Sequence, residues 1–93
     1  MSLFVAVDSL KDAFKLRRHL GWRGYVEVYD MICDHDSYAE AAEFIEENAS
    51  SDVIAVKNYP VGPGQIYKAQ FVFRADQDAI ALKLKCPALE KQE

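Results

Sequence analysis

The residues best suited to chemistry stand together at Cys33-Asp34-His35-Asp36. Thiolates, imidazoles and carboxylates are all metal ligands, but a structural zinc site takes about four of them, and adjacent residues seldom converge on one ion. The other thiol, Cys86, and the other imidazole, His19, are remote in the sequence. We therefore predict no metal and no cofactor, with Cys33 closing a buried strand. A small-ligand or metal-binding domain around Cys33 and His35 stays open as an alternative.

Recognisable catalytic motifs are missing from the sequence. A cysteine nucleophile needs an imidazole and an oxyanion hole, and no glycine-rich turn follows the Cys33 and His35 pair. The chain has no GxSxG, Walker or GxGxxG pattern. Gly62-Pro63-Gly64 suits a turn better than a phosphate loop, because Pro63 has no N–H to donate. We predict that the protein is not an enzyme.

One segment of the sequence is basic and carries the single tryptophan. The residues that would bind a partner there are Arg17, Arg18, Arg23 and Trp22. Such a segment, with aromatic residues of a nearby sheet, could bind single-stranded nucleic acid. Cations also suit the C-terminal end of a helix, and the net charge of −4 opposes a polyanion. Nucleic-acid binding through the basic first helix is therefore the alternative, not the first hypothesis.

A second segment is acidic, and its glutamates are Glu40, Glu43, Glu46 and Glu47. The last two stand near the end of a predicted helix, where the helix dipole disfavours anions. A solvated surface is one explanation for them. The other is that this face meets a basic surface, either the first helix of a second copy in a symmetric pair or a patch on a partner protein. The first hypothesis is accordingly a non-enzymatic protein-interaction or regulatory module.

The alternation of apolar and polar residues predicts the elements that position these segments. A capping box at Ser37 and Glu40 opens the acidic helix, and Gly21 closes the basic one. The predicted elements are a strand at 2–7, a helix at 9–19, a strand at 24–33, a helix from 37, hairpin strands at 52–59 and 65–74 around a loop at 60–64, a helix at 75–81 and a strand at 82–86.

This order favours an α+β fold, a two-layer sandwich of the ferredoxin-like kind with helices on one face of a mainly antiparallel sheet. Tyr67, Phe71 and Phe73 alternate along one strand and should pack under the helices. We expect one domain at 1–88 and a disordered tail at 89–93.

The chain has 93 residues, so its core is small and a homodimer interface would add stability. Its apolar runs are far shorter than the roughly 20 residues that cross a bilayer. Two cysteines without CxxC spacing suit reduced thiols. We expect a cytoplasmic protein that does not enter membranes.

The segment from Phe71 to Leu84 contains Phe-Val-Phe-Arg-Ala-Asp-Gln-Asp, followed by Ala-Ile-Ala-Leu-Lys-Leu. It resembles a strand, aspartate-opened helix and strand ending of small uncharacterised bacteriophage proteins. That resemblance implies no activity and no site residues. It suggests a phage-encoded accessory protein.

Overall fold

The structure, a computed structural model, describes residues 4–22, 26–62 and 66–91, and the side chains of 57–62 lie outside that description. The elements in these residues are β1 (Phe4–Val7), α1 (Leu10–His19), β2 (Glu27–Cys33), α2 (His35–Asn48), β3 (Val53–Gly62), β4 (Ile66–Phe73), α3 (Asp76–Lys85) and β5 (Glu90–Lys91). The predicted α+β class is confirmed. None of these helices has the length and apolar character needed to cross a bilayer.

The strands form one mixed sheet in the order β1-β3-β4-β2-β5. β1 runs parallel to β3, whereas β3 with β4, β4 with β2 and β2 with β5 are antiparallel. A ferredoxin-like chain runs strand-helix-strand-strand-helix-strand. Here two strand-helix units precede the hairpin, and β1 lies at the edge beside β3. The ferredoxin-like topology is therefore not confirmed.

Helices cover both faces of the sheet. Ala55 and Phe71 belong to a core cluster that includes Ile45 of α2, and α3 contributes to the same cluster. Ile54 and Val72, their chain neighbours, pack instead in a cluster with α1. Because β3 is buried from 53 to 56 on both of its faces, each face needs a covering layer. The predicted two-layer sandwich with helices on one face is accordingly not confirmed.

The first two helices begin and end at clear signals. Ser9 Oγ accepts a hydrogen bond of 3.1 Å from the N–H of Asp12 at the start of α1. Gly21, with φ of 71°, ends that helix in the left-handed conformation that the sequence predicts. α2 starts two residues before the predicted Ser37, because Asp34 is its N-cap and accepts from the Ser37 N–H at 2.8 Å.

The C-terminal third differs most from the sequence prediction. α3 continues through Lys85, so the predicted strand at 82–86 is wrong. Its Leu82 side chain is fully buried between the sheet and α2. Of the residues 89–93 that the sequence predicts as a tail, Leu89 is fully buried and Glu90–Lys91 pairs with β2 in the structure. Those residues belong to the fold because they close the edge of the sheet beside β2.

The hairpin between β3 and β4 is confirmed, with a first arm that extends further than predicted and a second arm that is slightly shorter. Pro60 lies opposite Tyr67 and Gly62 opposite Ile66, with irregular register between them. Of the expected loop at 60–64, residues 60–62 are therefore part of β3, and the remaining two lie outside the described residues.

Candidate functional site: two charged helix faces

Four carboxylates form a row along the outer face of α2. Asp36, Glu40, Glu43 and Glu47 are all exposed and follow one another at intervals of four, three and four residues. Since an α-helix turns about 100° per residue, they fall within a sector of about 60°. Ala41 and Ile45 point the other way, into the core. We call these four residues the acidic stripe.

The acidic stripe borders a shallow groove of about 340 Å³ between α2 and α3. Glu40, Glu43 and Glu47 line it together with half-buried Phe44 and with Lys85 of α3. The Lys85 Nζ atom lies 5.6 Å from the centroid of the Phe44 ring, a cation–π distance. With three carboxylates and one ammonium among its lining residues, the groove is negatively charged.

Exposed apolar side chains lie on α3, the helix that contributes Lys85 to this groove. Ile80 and Leu84 are one helical turn apart and are 58% and 82% exposed. They line a second recess of about 360 Å³ with Tyr29 and Pro87. Apolar side chains left this exposed contribute little to the core of the domain. We call Ile80, Leu84 and Pro87 the apolar stripe.

A basic row lies on α1, on the opposite face of the sheet. Lys11, Lys15 and Arg18 are exposed and follow at intervals of four and three residues. Lys15 and Arg18 line a recess with His19, and Phe14, which is 36% exposed, borders the same row. We call Lys11, Lys15 and Arg18 the basic stripe.

Neither stripe is neutralised within the described part of the chain. No carboxylate of the acidic stripe and no cation of the basic stripe forms an ion pair there. The recorded pairs lie elsewhere: Lys68 with Asp30 at 3.8 Å, Arg74 with Asp52 at 3.5 Å and Lys91 with Glu27 at 2.7 Å. Like charges at helical spacings of three and four destabilise a helix by about 0.2–0.5 kcal/mol per pair. Repulsion within each stripe therefore destabilises the helix that carries it, while Asp36 in the first turn of α2 and Arg18 in the last turn of α1 interact favourably with the helix dipole.

Trp22 is not available for binding at the surface. It is only 6% exposed and packs with Ile54, Val56 and Val72. The helix end explains this position: the backbone N–H of Trp22 donates to the Arg17 carbonyl at 3.1 Å, which turns the chain and its indole back over the sheet. The structure thus places Trp22 in the core and not on the predicted binding surface.

The other predicted site residues divide among three locations. Glu40, Glu43 and Glu47 belong to the acidic stripe, while Glu46 is exposed but lies about a quarter of a turn away from it. Arg18 belongs to the basic stripe, whereas Arg17 is half-buried beside the sheet. Arg23 lies outside the described residues.

The residues of the Cys33 to Asp36 segment lie in different environments. Cys33 is buried in the core, Asp34 caps α2 and His35 is exposed in its first turn. The other cysteine, Cys86, lies elsewhere in the fold. Burial raises the pKa of its thiol; the positive charge of Lys85 opposes this shift and the negative charge of Glu40 reinforces it. Among the described residues, no three histidine, cysteine, aspartate or glutamate side chains come together as a metal site.

Sequence patterns alone missed Asp36, Phe44, Lys85 and the apolar stripe. The sequence singles out Asp36 only as a member of the Cys33 to Asp36 segment, and the apolar stripe becomes visible only once α3 extends to Lys85. The spacing of four between Ile80 and Leu84 was the available signal.

Comparison of the chain with protein-family models, with curated proteins and with solved structures finds no match. A function has to follow from the charge, exposure and shape of the two helix faces themselves.

Proposed function

We propose that this domain is a small, non-enzymatic protein-interaction module whose α2/α3 layer binds a positively charged, partly apolar segment of protein. The observation that supports this is that the two helices of one layer carry an acidic groove and an exposed apolar stripe. Together they form a surface with a charged side and a hydrophobic side, which is the complement of a basic amphipathic helix.

Folding alone does not account for this surface. Neighbouring carboxylates in the acidic stripe repel one another, and Glu46 and Glu47 occupy the last turn of α2, where no basic residue offsets the helix dipole. Leu84, at 82% exposure, contributes little to the core of the isolated domain. A bound cationic segment would relieve both the repulsion and the apolar exposure.

The chemistry of the surface also fits rapid and reversible association. Clustered charge of one sign accelerates encounter with an oppositely charged partner, and this effect weakens as salt screens the field. Apolar contact with Ile80 and Leu84 would then supply attraction that salt does not screen. Binding should therefore weaken with added salt without vanishing.

A direct test uses a synthetic helical peptide with lysines at intervals of four and three and leucines on the adjoining face. Isothermal titration calorimetry in low salt should detect binding. Glu43→Lys should weaken it about tenfold, because the change sets like charges opposite one another in the groove.

Glu46→Lys is the matched control, since it alters the net charge equally but lies outside the groove. It should weaken binding by only about twofold through the long-range field. Equal losses in the two variants would show that only net charge matters, and unaltered binding in Glu43→Lys would remove the groove from consideration. Leu84→Gln should weaken binding in high salt as well as low.

Nucleic-acid binding through α1 remains the second candidate, supported by the recess that Lys15, Arg18 and His19 line. The buried position of Trp22 removes the stacking residue on which that hypothesis partly depended. A salt-dependent mobility shift of single-stranded RNA that Lys15→Glu abolishes would favour it; no shift at low salt would end it. A role as a phage accessory protein stays a prediction.

A further inference from the structure

We infer that the cationic segment is α1 of a second copy of this chain, so that copies associate head to tail, the acidic stripe of one on the basic stripe of the next. This inference rests on the proposed function, since it uses the same α2/α3 surface. It adds the identity of the partner and the geometry of the assembly.

The spacings of the two stripes match. Glu40, Glu43 and Glu47 follow at intervals of three and four, and the basic stripe read backwards from Arg18 follows at the same intervals. Both rows therefore span about 10 Å along their helices. With the two helices antiparallel, Arg18 meets Glu40, Lys15 meets Glu43 and Lys11 meets Glu47. That arrangement also aligns the two helix dipoles favourably.

Exposed apolar residues lie on the helices that carry the two surfaces. Phe14 borders the basic stripe, while Ile80 and Leu84 lie on α3, which reaches the acidic groove through Lys85. Charge and spacing thus select the same pair of surfaces, and neither surface has another occupant among the described residues.

The fold makes this association directional. α1 packs over β1 and β3 on one face of the sheet, and α2 packs over β2 and β4 on the other face. A two-fold pair that joined acidic to basic stripes at both contacts would need the two stripes on one side of each copy. They lie on opposite sides, so the symmetric pair expected from the sequence gives way to a heterologous contact that leaves one acidic and one basic end free.

Two half-neutralised variants test the geometry. Glu43→Gln with Glu47→Gln removes charge from the acidic end only, and Lys15→Gln with Arg18→Gln removes it from the basic end only. In sedimentation velocity at low salt, the unaltered chain should form concentration-dependent species larger than a dimer. Each variant alone should stay monomeric at the same concentration, because its self-contact has lost charge on one side.

An equimolar mixture of the two variants should yield a 1:1 complex and nothing larger, since only one contact remains intact. A chain that carries Glu43→Lys, Glu47→Lys, Lys15→Glu and Lys11→Glu together should assemble again, because both facing pairs then have their charges exchanged and not removed. Circular dichroism melts that match the unaltered chain would confirm that all variants fold.

Several results would overturn the inference: a chain that stays monomeric at millimolar concentration in low salt, a closed dimer that both variants still form, or a mixture that extends beyond two copies. The peptide titration separates this failure from that of the proposed function. If the basic peptide binds to the acidic groove of a chain that does not self-associate, the proposed function is supported and the partner is another protein. If neither binding nor assembly occurs, both proposals fall.

Discussion

Neighbouring residues of β4 belong to different layers of the protein. Phe71 stacks with Tyr38 of α2 and with Phe73, at ring-centroid distances of 6.2 Å in both cases. Val72 faces the other way and packs with Ile54 and with Ala13 of α1. The face covered by two helices therefore holds the aromatic core, and the face covered by one helix holds a smaller aliphatic cluster with one indole.

This difference shows how the fold separates stability from surface charge. On the α2/α3 side, aromatic packing is strong enough to tolerate a row of repelling carboxylates on the outer surface. On the α1 side, a smaller core carries a short helix whose outer surface is basic. Each layer stabilises the sheet with its inner face and leaves its outer face free to differ in charge.

The largest expected effect comes from truncating these two neighbours. Phe71→Ala should lower the free energy of unfolding by about 4 kcal/mol, because it opens a cavity in the aromatic core. Val72→Ala should lower it by about 2 kcal/mol, since fewer methyl groups are lost. Urea unfolding of both variants measures the two values. A greater cost for Val72→Ala would mean that the α1 side holds the main core.

Asp78 provides a second test of the α2/α3 side, because it links α3 by hydrogen bonds to the segment that joins α2 to β3. Its carboxylate, only 4% exposed as a residue, accepts from the Ser50 N–H at 2.8 Å, the Ser50 hydroxyl at 2.9 Å and the Ser51 N–H at 3.0 Å. Asp78→Asn should lower the free energy of unfolding by about 2 kcal/mol. Asp76→Asn, exposed in the same helical turn, is the control and should cost at most about 0.5 kcal/mol. Equal effects would attribute the loss to the helix dipole alone.

Much of the fold could be predicted where local signals and periodicity agree. Ser9 and Gly21 mark the ends of α1, and the alternation of Ala69, Phe71 and Phe73 places that face in the core. The C-terminal segment could not be resolved this way, because Leu82 and Leu84 alternate with lysines as a strand would. In the structure Leu82 is buried and Leu84 exposed, a difference that only helical packing against the sheet produces.

The candidate site was partly predictable for the same reason. The exposed glutamates follow from helical spacing on a single element, so Glu40, Glu43 and Glu47 were identified. The groove could not be predicted in this way, because it also depends on α3, whose Lys85 lies far from the glutamates along the chain. Which face of the sheet a helix covers depends on the path of the chain between elements, and no residue pattern encodes it. The placement of Trp22 in the core and of α1 opposite α2 both depended on that path.

The N-caps of α1 and α2 should differ in a smaller effect, the loss of their contribution to stability in acid. The Ser37 N–H donates to the Asp34 carboxylate and, as the main cause, holds its pKa below the ordinary value of 3.8. This contribution to stability is fully present above that value and is lost as the pH falls through the lowered pKa of the folded state. Asp34→Ser should therefore flatten the fall in stability that the unaltered chain shows in acid.

The control for this measurement is the cap of α1, whose hydroxyl does not titrate. Ser9→Ala should lower the free energy of unfolding by about 1 kcal/mol at every pH tested. Urea unfolding at intervals between about pH 6 and about pH 2 would compare the two profiles. A steep acid dependence that persists in Asp34→Ser would assign it to other carboxylates.

The smallest expected change has the opposite sign. Glu43 lies between Glu40 and Glu47, so Glu43→Gln removes two repulsive pairs and should raise the free energy of unfolding by about 0.5 kcal/mol. The gain should shrink in 1 M salt, where the repulsion is already screened. Thermal melts of the monomer at low and high salt measure both values. A variant that is more stable yet binds the basic peptide less well would show that the acidic stripe is kept at a cost to the fold, whereas a loss of stability would mean that Glu43 has a structural role on α2.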